Sequence, residues 1–179
     1  MEKRSEQLDR AMEAFFRHGY RKASMKDIAE VIGISRQALY NHYSSKSILF
    51  AEAVRHAYAE SERRACKALI NENQPLQECI FCALDTWVGV YVEPLRLSPH
   101  ATEIDYAAKR EIPDIAEQTH KAIEKALNKT LRTTKGRNAN DIAVTLMAAA
   151  KGLLNTAKDR SEFRKKLRTA VRIILCEPK

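Results

Sequence analysis

SMKDIAEVIGISRQALYNHYSSKSILF, residues 24–50, is the stretch that decides the fold. Ser24 and Asp27 have the S-x-x-D form of a helix start, because a hydroxyl at the N-cap and an acid at N3 satisfy free backbone donors. Ile28, Ala29, Val31 and Ile32 then give barely two turns before Gly33, a residue suited to a left-handed stop. Ser35 can cap a second short helix that buries Ala38 and Leu39. Two short helices joined by a glycine turn form a helix-turn-helix corner. Ala29 is small enough for close crossing, and Ile34 and Leu39 lock the angle. Arg36, Gln37, Tyr40 and Asn41 are left facing outward, where they can hydrogen-bond base edges or phosphates. Such corners also occur in helical bundles without a ligand.

Reading outward, the pattern stays helical. Leu8, Met12, Phe15 and Phe16 mark a first helix that stops at Gly19. Ser44 or Ser45 caps a fourth helix running through Ile48, Leu49, Ala53 and Val54 toward Leu69. Leu76, Ile80, Ala83, Leu84, Trp87, Val90 and Tyr91 form one wide stripe, expected to end at Pro94. Residues 95–112 are short pieces broken by Pro99 and Pro113, and Ile115 to Leu131 carry another stripe. Residues 132–140 look turn-like, and two final helices follow. Five glycines and five prolines in 179 residues are too few for the turns of a β-sandwich or an α/β nucleotide-binding fold. With 45% apolar and 30% charged residues the chain has the composition of a soluble globular protein. The expected class is all-α.

Lys and Arg number 31 against 23 Asp and Glu, a net charge of +8 that points toward a polyanion or an acidic surface. Residues 1–64 carry twelve basic and nine acidic side chains, so most of the excess lies downstream. Seven basic residues fall within 158–172, read as the solvated face of an amphipathic helix rather than a second DNA or membrane contact. The polar N-terminus has no apolar leader, and no run approaches a membrane span, which makes the cytoplasm the expected compartment. The four cysteines are then expected as reduced thiols, with Cys79 and Cys82 packing in a core. His18, His56, His100 and His120 are scattered, and no nucleophile elbow, phosphate-cradling loop or zinc-protease motif occurs. No enzyme, cofactor or metal is expected.

The wider segment resembles the TetR family of bacterial transcription regulators. Ser24, Ile28, Ala29, Gly33, Ile34, Ser35, Leu39, Tyr40, His42, Tyr43, Lys46 and Leu49 fall on that family's N-terminal pattern, and Phe15-Phe16 with HGYRKAS resembles its first helix and connection. The resemblance is specific over about residues 5–55, with Ser24 standing for the usual Thr and Gln37 where a small residue is common. It implies a three-helix DNA-binding head over 1–46 and a helical effector-binding and dimerisation domain over 47–179. By resemblance, Ser24, Met25 and Lys26 open the second helix near the DNA backbone. Ser35, Arg36, Gln37, Ala38 and Asn41 sit on the base-reading helix, while Tyr40, His42 and Lys46 reach phosphates. Arg36 can be bidentate to guanine and Gln37 can pair with adenine.

The function implied is a repressor released from a palindromic operator by a small molecule. The reading from another class is a helical adaptor binding acidic partners without DNA. A ligand site is expected around Phe81, Leu84, Trp87, Tyr91 and Tyr106, four aromatic residues and a leucine beside a proline-broken segment. A two-fold homodimer is expected through Leu146, Ala150, Leu153, Phe163, Leu167, Ala170, Val171 and Ile174, since two such stripes exceed the need of a single core.

Overall fold

The computed structural model describes residues 2–135 and 138–176. Among them are ten α-helices: α1 Glu2–His18, α2 Met25–Ile32, α3 Arg36–His42, α4 Lys46–Leu69, α5 Leu76–Trp87, α6 Val92–Leu97, α7 Ala101–Glu111, α8 Ile115–Lys135, α9 Ala139–Thr156 and α10 Arg160–Leu175. A 3-10 turn, Gly89–Tyr91, joins α5 to α6, and the described residues contain no strand. None of these helices is long and apolar enough to cross a membrane.

Two compact units emerge, Met1–Ala59 with Leu97–Ala116, and Glu60–Arg96 with Glu117–Lys179. This differs from a division at residue 46. α4 is continuous, with Leu49, Phe50 and Ala53 in the first core and Ala65 and Leu69 in the second. α7 adds Ile104 and Ala107 to the first core.

In the first unit Phe15 and Phe50 meet edge to face, with ring centroids 4.9 Å apart, and Tyr20 packs on Phe50 at 4.7 Å. α7 also holds the α1–α2 connection through polar contacts. Ser98 Oγ donates to the Phe16 carbonyl (2.6 Å), and the Arg21 amide donates to Glu103 Oε1 (2.7 Å). Ser47 Oγ and the Tyr20 hydroxyl donate to Glu111, at 2.6 and 3.3 Å. Ser47 and Arg110 hold the Glu111 carboxyl below the usual carboxylate range. Gly19, at φ 79°, leaves no room for a side chain, since a β carbon there would lie 2.8 Å from Glu103 Oε2.

The second unit is built on α5, α8, α9 and α10. Leu146, Ala150, Phe163, Leu167 and Val171 are fully buried in one cluster with Ile80, Leu84, Ile123 and Leu127. The stripes expected at a dimer interface therefore fill the chain's own core. Burying α5 on both α9 and α10 uses both of them; Leu153, Ala170 and Ile174 are half-buried at its edge. Asp85 is buried and pairs with Arg164 (2.9 Å) and Arg160 (3.3 Å), while Arg168 pairs with Glu78. The Arg96 guanidinium donates to the carbonyls of Leu154, Asn155 and Ala157, closing the end of α9. Pro94 does not end the stripe as a breaker. It sits in the first turn of α6, where a missing N–H costs nothing. α8 continues to Lys135 and α9 starts at Ala139, so most of the expected turn 132–140 is helix, and 136–137 lie outside the described residues.

Candidate nucleic-acid interface

The corner forms as its residue types dictate. Ser24 Oγ accepts from the Asp27 amide (3.2 Å), and Asp27 Oδ2 accepts from the Ser24 amide (3.0 Å), a reciprocal box that starts α2. The Ser24 hydroxyl also donates to that carboxylate and, with the amide, keeps the Asp27 carboxyl below its ordinary pKa. Gly33 ends α2 at φ 83°, its amide donating to the carbonyls of Ala29 and Glu30, and Ile34 also donates to Ala29. Ser35 then caps α3 by accepting from the Ala38 amide (3.1 Å). Ser45 serves α4 in the same way, accepting from Ile48 at 3.2 Å.

α3 is docked through Leu39, 1% exposed, the buried residue of that helix. Arg36, Gln37, Tyr40, Asn41 and His42 are all exposed, and Ala38 is half-buried. The exposed side chains are paired along the helix. The Arg36 guanidinium lies 5.4 Å over the Tyr40 ring, and Gln37 Nε2 donates to Asn41 Oδ1 (3.2 Å). Both pairs hold long side chains partly ordered before any partner arrives, which lowers the entropy lost on binding. A guanidinium fork suits guanine O6 and N7, and a carboxamide suits adenine N6 and N7.

Several expected contacts have other occupations. Met25 is buried in the first core, because the capping box turns it inward beside Ile28 and Ala29. The hydroxyls of Ser24 and Ser35 are engaged as caps. Lys46 Nζ donates to the carbonyls of Arg21 and Ala23, each at 2.9 Å, and lies 5.2 Å from the Tyr20 ring centroid. It braces the α1–α2 connection. Lys26 is exposed at the start of α2.

The expected ligand residues do not form one group. Phe81 and Leu84 are 1% and 0% exposed, closed into the second core, with the Arg168 guanidinium 3.9 Å above the Phe81 ring. Tyr91 is half-buried, and Tyr106 is exposed on α7 of the first unit. Trp87 is nearly buried, and beside it stand His120 and Lys151, which sequence reasoning missed. Residues 87, 120 and 151 come from three helices, and nothing in their local sequence signals the meeting. Cys79 is buried and Cys82 packs against the second core; the Cys79 thiol donates to the Asn71 carbonyl. The described residues contain no cluster of His, Cys, Asp and Glu able to hold a metal.

Known proteins agree with this geometry. The sequence profile of bacterial regulatory proteins of the tetR family matches residues 8–53, which hold α2, α3 and most of α1. The HTH-type transcriptional repressor AcnR of Corynebacterium jeikeium is 29% identical over 163 residues, 89% of this chain and 83% of that protein. The HTH-type regulator YezE of Bacillus subtilis is 33% identical over 89 residues, half of this chain and 45% of its own. The chain thus spans under half the length of this second relative. A transcriptional regulator from Rhodococcus shares the fold with a TM-score of 0.71 at 20% identity, covering 97% of this chain and 99% of its own. Residues 8–53 thus carry the tetR-family regulatory segment as a capped helix-turn-helix, and the helical fold is shared with a solved regulator over nearly the whole length.

Proposed function

We propose that this protein is a sequence-specific DNA-binding transcription regulator of the cytoplasm, a repressor released from its operator by a small molecule. The observation that carries the reading is α3, a helix anchored by Leu39 whose other long side chains point to solvent in preordered pairs. The repressor reading is favoured by AcnR, the relative that aligns with most of the chain. The effector reading draws on a solved relative of 16% identity and TM-score 0.64, which is a complex of SmeT with triclosan. α7 supplies a route of action. It is joined to the second unit at both ends of 97–116 and carries Glu103 and Glu111, which accept from the Arg21 amide and the Tyr20 hydroxyl of the α1–α2 connection. A ligand shifts such an element only through different affinity for its two positions.

Two copies are proposed to join across the outer face of α9 and α10. There Val144, Ala148 and Gly152 recur every four residues, Ile173 is 63% exposed, and a β carbon on Gly152 would meet nothing within 4 Å. A two-fold dimer presents two copies of α3 to a palindromic site. Selection of duplexes from a random pool should therefore enrich an inverted repeat, and sedimentation at micromolar concentration should give a dimer that V144R with G152R converts to monomer. Absence of enrichment refutes the DNA reading; a monomeric wild type refutes the two-fold arrangement.

A further inference from the structure

Trp87 closes α5 at the meeting of three helices of the second unit. The His120 ring, from α8, lies 5.6 Å from the indole at an interplanar angle of 31°. Lys151 Nζ, from α9, stands 5.5 Å from the ring centroid and has no ion-pair partner among the described residues. His120 Nε2 lies 3.4 Å from Glu124 Oε2, whereas Nδ1 is buried without a hydrogen-bond partner. A buried polar atom without a partner is unfavourable, so it calls for a reason.

The chemistry of the three groups is complementary. Burial first, and then the Lys151 ammonium, hold the imidazole pKa below its ordinary value, which keeps His120 neutral near pH 7. A neutral ring whose Nε2–H faces the Glu124 carboxylate leaves Nδ1 as a bare acceptor. It needs a donor. The unpaired ammonium needs an anion, and the charge excludes a cation. The indole offers a face for stacking. Lys151 is itself exposed on a long stem, so its displacement uncovers that face.

We infer that Trp87, His120 and Lys151 receive a hydroxylated aromatic acid, its ring on the indole, its carboxylate on Lys151 and its hydroxyl donating to His120 Nδ1. The inference rests on the effector reading above and names the ligand class. Trp87 is the single tryptophan of the chain, so its emission reports occupancy without DNA.

Titration of the full chain with 2-, 3- and 4-hydroxybenzoate should give saturable quenching by at least one isomer. Benzoate and phenol should each bind at least tenfold more weakly than that isomer, and 4-hydroxybenzylamine should not bind. K151M should erase the preference for acid over phenol, and H120F the preference for hydroxybenzoate over benzoate, with unchanged circular dichroism. Quenching by no isomer, equal binding of the amine, or unchanged ratios in both variants overturns the assignment. Operator release by a neutral compound that leaves Trp87 emission unchanged also overturns it, while the effector reading survives.

Discussion

G89A is expected to lower the stability of the second unit by about 3 kcal/mol, the upper range of core overpacking, which moves the melting temperature down by roughly 10–20 °C. A β carbon at position 89 would collide with Asp85 Oδ1 and stand 2.6 Å from the Phe163 ring. Neither neighbour can retreat. Phe163 is fully buried between α5 and the rest of the core, and Asp85, 4% exposed, is held through its other oxygen by Arg160 and Arg164. Moving the carboxylate would loosen its pairing with Arg164 and Arg160, partly exposed side chains that compensate the buried charge. Calorimetric unfolding of the variant checks this. A melting temperature within about 2 °C of the wild type would contradict the packing around Gly89.

L39A is expected to abolish duplex binding and to loosen the first unit by about 2–5 kcal/mol, the range for emptying a buried leucine site. Leu39 is the buried residue through which α3 is fixed, so no other contact of that helix compensates its loss. Affinity for a selected duplex should fall more than a hundredfold. The partner measurement is Y40F, which keeps the ring beneath Arg36 and should leave the melting temperature unchanged. If L39A bound the duplex as tightly as the wild type, α3 would not be the element that meets DNA.

What was legible in the sequence followed local rules. Ser24, Asp27, Gly33 and Ser35 act through neighbours three or four residues away, and the caps and the left-handed stop appear as their types predict. The helical periodicity likewise gave the class. What was not legible depends on contacts between distant segments. The final two stripes looked surplus to one core because the sequence does not reveal that α5 packs on both α9 and α10. Lys46 matched a phosphate-contacting position, yet carbonyls of Arg21 and Ala23, more than twenty residues earlier, engage its ammonium. Met25 reads as a surface residue from its place at a helix start, yet the first turn of α2 sets it in the first core with Ile28 and Ala29. The membership of α7 in the first unit has no local signature, since Ile104 and Ala107 look like any amphipathic helix.

The central claim is that Arg36 and its neighbours on α3 read bases. The most direct test compares the base preferences selected from a random duplex pool by the wild type and by R36A at one fixed salt concentration. A lost bidentate contact should cost roughly 1–3 kcal/mol and relax preference at one position of each half-site, leaving the others intact. An equal loss of affinity on every duplex, with the preference profile unchanged, would mean that Arg36 contributes only charge and that α3 does not read sequence through it.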